Sequence, residues 1–182
     1  MEIQQKRKIF EVIDDFVPDY TNEHINKVLS SNSFPWFLSD KIKTKSKFNE
    51  LQNNQLFHMI YNYKNLYKGN YYSLVEPILK KLDIDILLRV KINCTTYTDK
   101  IVEFPFHIDT EHKAKTCVYY VNDNNGYTYF KDNSKVYSKA RRLVKFDSHH
   151  SHSGTTSSDT KYRFVININY IPKEMITYDK EI

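Results

Sequence analysis

The stretch AKTCVYYVNDNNGYTYFK, residues 114–131, decides the fold. Two runs rich in aromatic and β-branched residues, 114–122 and 126–131, flank Asp123-Asn124-Asn125-Gly126. Such runs favour extended backbone, and the four residues between them accept turn geometry. Outward from this point the pattern repeats in ILLRVKINC (86–94), VEFPFHI (102–108), RLVKFD (142–147) and YRFVININY (162–170). Many short strands at near-regular spacing indicate a sandwich or a barrel-like jelly roll.

Upstream of residue 84 the texture changes. Asp19 or Thr21 can cap a segment in which His24, Ile25, Val28 and Leu29 recur at helical spacing. Ser73 and Glu76 form a capping-box pattern ahead of Val75, Ile78, Leu79 and Leu82, with Pro77 near the first turn. Between these segments Phe34, Trp36 and Phe37 read as core aromatics. No repeat, low-complexity tract or long linker divides the chain. The expectation is one α+β domain over 1–182: a mainly helical support, 1–83, whose helices pack outside a double-stranded β-helix (jelly-roll) core, 84–172.

The bulk properties exclude little. A chain of 182 residues, 40% hydrophobic and 27% charged, can bury a real core. No apolar run approaches membrane-spanning length, and MEIQQKRKIF lacks a secretory signal, so the expected location is the cytoplasm, with no membrane partner. A net charge of +5 is compatible with anionic partners without requiring them. The run Lys41, Lys43, Lys45 and Lys47 reads as a solvated loop or charged edge strand. Cys94 and Cys117, both inside apolar runs, read as buried reduced thiols. Gly69, Gly126 and Gly154 read as turns needing an unusual backbone angle.

Chemistry concentrates in two places. In FPFHIDTEH (104–112), His107 and Asp109 are two residues apart and share a face if the segment is extended. In FDSHHSHSGTTSSDTKYR (146–163), His149, His150 and His152 cluster ahead of Arg163. One histidine and one carboxylate on one face, joined by a distant histidine, make a 2-His-1-carboxylate triad. That triad leaves positions open on a metal and is associated with non-haem Fe(II) oxygenases. Arg163 interrupts an apolar alternating run, and a guanidinium buried there needs an anion such as a dicarboxylate. His58 and His112 read as ordinary structural or solvated histidines.

With these residues in place the sequence resembles the Fe(II)- and 2-oxoglutarate-dependent dioxygenases, in their prolyl-4-hydroxylase-like branch. The resemblance rests on H-I-D (107–109), T-C-V-Y-Y-V-N (116–122), N-G-Y-T-Y-F (125–130), R-L-V-K-F-D (142–147), H-S-G (152–154) and R-F-V-I-N (163–167). It covers roughly 84–172, about half the chain, and a looser likeness around Phe34–Phe37 is to phage-encoded members, which would place the protein in a host cytoplasm. The resemblance implies that His107, Asp109 and His152 are the iron ligands. Arg163 would pair with the far carboxylate of 2-oxoglutarate, Tyr120 would hydrogen-bond the same carboxylate, and Asn167, then Asn93, would assist in the pocket. His152 fits the family's H-x-G pattern, with His150 its competitor on strand parity.

The resemblance further implies Fe(II), 2-oxoglutarate and O2, with ascorbate as an optional accessory reductant. The expected reaction is hydroxylation of a C–H bond, on a peptidyl proline, another protein side chain or a small molecule, with release of succinate and CO2. Asn125 stands where the family's turn has its first glycine, and the substrate side of the pocket, near Tyr97, Phe104 and Phe106, departs from prolyl hydroxylases. Nucleic acid is disfavoured as a substrate, because Asn169 stands where the demethylating branch carries a second arginine. The rival readings are a non-catalytic jelly-roll binding module and a structural interaction protein on the same scaffold.

Overall fold

The computed structural model describes residues 9–39 and 55–175, so the run Lys41–Lys47 lies outside the described residues. The chain forms β1 (Phe10–Ile13), α1 (Asp19–Leu29), β2 (Phe37–Leu38), β3 (Gln55–Asn62), β4 (Tyr67–Lys68) and α2 (Tyr72–Leu79). There follow β5 (Ile84–Thr96), β6 (Lys115–Tyr120), β7 (Tyr127–Phe130), β8 (Lys135–Tyr137), β9 (Leu143–Asp147), β10 (His152–Ser153) and β11 (Tyr162–Pro172). An eight-stranded sheet runs in the order β1-β9-β6-β11-β5-β3-β2, with β4 paired to β3; a smaller sheet runs β10-β7-β8. Every ladder is antiparallel. Among the described residues no helix is long and apolar enough to cross a membrane.

Period-two alternation in the central strands gives the large sheet two different faces. Phe164, Ile166 and Ile168 of β11 join Val90, Ile92 and Cys94 of β5 in one buried cluster, which also holds Ile25 and Leu29 of α1 and Val75 and Ile78 of α2. The alternate residues face the other way. There Val118, Tyr120, Val144, Phe146 and Val165 meet Phe130 and Val136 of the smaller sheet in a second cluster. The polar residues of that same face, Arg89, Asn93, Arg163 and Asn167, line a cavity.

The turn at 123–126 is formed, and it does more than reverse the chain. β6 pairs with β9 and β11, whereas β7 pairs with β8 and β10, so the turn carries the chain from one sheet to the other. Its side chains hold it: Asn124 Oδ1 accepts from Gly126 N–H at 3.0 Å, and Asp123 Oδ1 accepts from Ala140 N–H at 2.8 Å.

Other expectations are corrected. Among the described residues no glycine has positive φ; the left-handed positions are Asp15, Leu66, Asn133 and Arg141. Gly126 is needed for space instead, because a Cβ there would lie 2.6 Å from Arg163 Cδ and Nε. Residues 102–108 are not a regular strand. They touch the smaller sheet's edge through isolated bridges at Glu103–Thr155 and His107–His152, and Pro105 between them has no N–H to continue a ladder. Neither helix has a side-chain cap: α1 starts after Pro18, and Ser73 lies inside α2.

The residues before 84 contribute the two helices and also strands. β3 pairs along β5, and β1 pairs with β9. Phe34 is buried as expected and Trp36 stacks on Phe164 at 5.7 Å, but Phe37 is 53% exposed on an edge strand. Cys94 and Cys117 are free and buried, and burial pushes both thiols up to about 12.

Two outcomes follow for stability. Ile166 is fully buried in the middle of β11, so Ile166→Ala is expected to cost about 2–5 kcal/mol in urea unfolding, with an unchanged m-value. The forked hydrogen bonds from Arg142 to Asp14, at 2.6 and 3.1 Å, together with Lys139, outweigh burial and lower that carboxyl from 3.8 to about 2. A depressed carboxylate stabilises above its unfolded value and loses that contribution as pH falls through its folded value. The stability gap between wild type and Asp14→Asn is therefore expected to be constant above pH 3.8 and to close towards pH 2.

Candidate metal centre

Backbone pairing brings the triad together. His107 N–H donates to His152 O at 2.9 Å, and His152 N–H returns the bond to His107 O at 3.0 Å. The two rings on this reciprocal pair stand 4.6 Å apart between centroids. Asp109, two residues on, places Oδ1 3.9 Å from His107 Nε2 and Oδ2 3.8 Å from His152 Nε2. One ligand atom from each residue lies within 4.8 Å of the other two. The groups are too far apart to bond one another and close enough to share one ion.

Protonation suits a cation too. His152 Nδ1 lies 3.0 Å from His150 O and His107 Nδ1 lies 3.3 Å from Pro105 O. A carbonyl accepts only, so each Nδ1 carries a proton, and in the neutral ring Nε2 is then the nitrogen whose lone pair faces the centre. Burial holds His152 below its ordinary value, against the pull of Asp109. Burial raises the Asp109 carboxyl, but the Arg89 guanidinium, both histidines and the Asn169 amide together bring it below its usual value. Carboxylate and neutral imidazole are the forms that bind metal.

The remaining histidines stand aside. His149 is exposed, with Nε2 3.1 Å from Glu111 O, and His150 contributes its carbonyl to His152 rather than its ring to the centre. Strand parity could not rank them, because residues 148–150 form a turn and β10 begins at His152. His58 is a core residue, its Nδ1 2.8 Å from Pro35 O.

The triad opens onto a cavity of about 400 Å³ that also presents Arg163, Asn167, Asn93 and Thr95. Arg163 is 3% exposed. Its Nε–H donates to Ser138 Oγ at 3.0 Å, and its guanidinium carbon lies 5.7 Å from the Tyr120 ring centroid. Among the described residues no carboxylate pairs with it, and burial pushes it down to about 10. Asn93 Oδ1, Thr95 Oγ1 and Asn167 Oδ1 are buried and lack hydrogen-bond partners among the described residues. An unpaired buried cation and orphaned polar atoms on one cavity wall are the features of a site that takes an anionic, polar ligand. Tyr120 supports Arg163 from beneath. It is fully buried, its hydroxyl 2.6 Å from Thr128 Oγ1 and 3.2 Å from Val136 O, and it does not line the cavity.

Sequence reading missed the residues that hold Asp109. Arg89 Nη2 donates to Asp109 Oδ1 at 2.7 Å, while Asn169 Nδ2 and Thr116 Oγ1 donate to Oδ2 at 3.1 and 3.2 Å. Arg89 and Asn169 are directly opposed on β5 and β11, and Thr116 faces Asn169 from β6. Only the strand register unites them, and no spacing within one segment carries that signal.

No model of a known protein family matches the chain, and no curated protein matches it. Solved structures do. A viral collagen prolyl hydroxylase from Paramecium Bursaria Chlorella virus-1, in complex with 2OG, superposes with a TM-score of 0.58 at 15% identity, covering 92% of this chain and 98% of the other. A Trichoplax adhaerens prolyl hydroxylase bound to a hypoxia inducible factor peptide fragment gives 0.56 at 14% identity, covering 92% and 86%. A 2OG-Fe(II) oxygenase family protein from Burkholderia pseudomallei gives 0.59 at 9% identity, covering 91% and 88%. Identities this low establish likeness of fold. The chain has the fold of the 2-oxoglutarate- and Fe(II)-dependent oxygenases, prolyl hydroxylases among them, and within it a His107–Asp109–His152 triad that fits theirs.

Proposed function

We propose that the protein is an Fe(II)- and 2-oxoglutarate-dependent dioxygenase that hydroxylates a C–H bond, with a peptidyl prolyl or other amino-acid residue as substrate. Residues 84–172 form its double-stranded β-helix catalytic core, with the preceding residues in support. The observation that carries this reading is the pairing, in one cavity, of three grouped ligand side chains with a buried arginine with which no carboxylate among the described residues pairs.

His107, Asp109 and His152 would hold the iron; bound there, it supplies O2 activation coupled to oxidative decarboxylation of 2-oxoglutarate. The protein's own part is binding, orientation and exclusion of water. Arg163 takes the far carboxylate of 2-oxoglutarate, a task suited to a planar guanidinium already fixed by Ser138 and the Tyr120 ring. Asn167 and Asn93 supply polar contacts on the same wall. The exposed side of the mouth, with Phe106 and Ile108 flanking His107, is where the substrate would approach. The peptide bound to the Trichoplax adhaerens neighbour supports a peptide substrate here.

The deciding experiment is anaerobic titration of metal-free protein with Fe(II) and then 2-oxoglutarate, following the visible charge-transfer band of the chelate. Wild type and His150→Ala are expected to give the band and His152→Ala to give none. Arg163→Ala should weaken 2-oxoglutarate by at least about tenfold, given about 1.5–3 kcal/mol for hydrogen bonds to a charged group. Folded wild type that yields no band would sink the reading and favour a binding module. A band, followed by succinate release on adding candidate peptides, opens the substrate search.

Glycine substitutions test the anion end separately. In Gly126→Ala the new Cβ meets Arg163 Cδ and Nε at 2.6 Å, so 2-oxoglutarate binding is expected to fall with metal affinity unchanged. In Gly154→Ala the Cβ lies 3.5 Å from Phe104 Cδ2, an ordinary contact, and both affinities should hold.

A further inference from the structure

The surroundings of Asp109 determine how it can bind a metal. A carboxylate offers roughly four lone-pair positions, two on each oxygen. Asn169 and Thr116 occupy both positions on Oδ2, and Arg89 occupies one on Oδ1. One position is left, on Oδ1, the oxygen 3.9 Å from His107 Nε2.

The donors themselves are locked. Asn169 Nδ2 also donates to Thr116 Oγ1 at 2.9 Å, while its Oδ1 accepts from Arg89 Nε at 2.9 Å, so its amide can face only one way. Thr116 spends its single proton on Asp109 and therefore accepts from Ser148 Oγ, 3.0 Å away. Arg89 is thus held as a fork, Nε on Asn169 and Nη2 on Asp109, from a side chain only 30% exposed on the cavity wall.

We infer that Arg89 and Asn169 are positioning residues that make Asp109 a one-oxygen metal ligand and keep the rest of the coordination sphere open. This rests on the proposed function in taking the triad to be a metal site. A carboxylate free to bind through both oxygens would occupy a position that the 2-oxoglutarate chelate or O2 requires. The guanidinium also draws charge from the ligand oxygen, which would leave a metal bound there more electrophilic.

The test compares wild type, Arg89→Gln, Arg89→Lys and Asn169→Leu, all metal-free at the start. Mn(II) affinity is measured by electron paramagnetic resonance, Co(II) coordination by visible absorption, and 2-oxoglutarate affinity with Mn(II) bound. Arg89→Gln and Asn169→Leu are expected to weaken Mn(II) by about 10–100-fold and to change the Co(II) band intensity. Arg89→Lys keeps the charge but cannot span Asn169 and Asp109, so it should not restore the wild-type spectrum. If either disruptive variant that remains folded by circular dichroism shows wild-type Mn(II) affinity and an unchanged Co(II) spectrum, the brace is only structural. Full rescue by lysine would likewise overturn the fork. Wild type that binds Mn(II) but not 2-oxoglutarate defeats the proposed function alone, because metal affinity across the variants still decides this inference. Wild type that binds neither metal overturns both.

Discussion

The register between β5 and β11 is the constraint on which everything else rests. It sets Arg163 opposite Thr95, Val165 opposite Asn93 and Asn169 opposite Arg89. Because side chains alternate with a period of two, the same pairing sends Phe164, Ile166 and Ile168 to the helix-side cluster. A slip of one residue would drive Arg163, Asn167 and Asn169 into that apolar cluster and turn three large hydrophobic residues into the cavity. The burial of the apolar face thus fixes the geometry of the polar one. The register shift between Asn169 and Tyr170 falls just beyond the last residue that the site uses, so the irregularity leaves the Arg89–Asn169 pairing intact.

This explains what was legible in the sequence and what was not. The grouping of His107, Asp109 and His152 was readable because the first two are close in sequence and His152 opens the H-x-G pattern; the burial of Arg163 was readable because it breaks an apolar run. The brace was not. Arg89 and Asn169 look like ordinary polar positions of their strands, and their meeting with Thr116 depends on three-strand register. The strands β1 and β3 were missed because FEVI spans only four residues and QLFHMIYN has no clean alternation. The inference that glycines mark unusual backbone angles failed at Gly126, whose lack of a Cβ admits the Arg163 side chain, something visible only in three dimensions.

The two ends of the cavity handle charge in opposite ways. At the His107–Asp109–His152 end, the buried carboxylate of Asp109 already has a cation, Arg89, and two neutral donors, so it is stable as an anion by itself. At the other end Arg163 has one hydroxyl, one aromatic face and no anion among the described residues. Burying such a cation costs free energy. The lowering of Arg163 to about 10 expresses that cost, which a bound carboxylate would offset. Pairing Arg163 with a carboxylate would therefore contribute favourably to ligand binding.

The asymmetry also bears on order. Burial favours the neutral form of His152, and the Pro105 and His150 carbonyls orient the two rings, so the grouping needs little rearrangement to accept an ion. Arg163 is confined as well, since it lies between the Tyr120 ring and the space left by Gly126. The exposed part of the site lies at the mouth. His107 has a half-exposed side chain, and Phe106 and Ile108 present apolar surface beside it. Under the proposed function, the buried interior would recognise the small acidic co-substrate and set the chemistry, and the exposed apolar rim would decide which partner is hydroxylated.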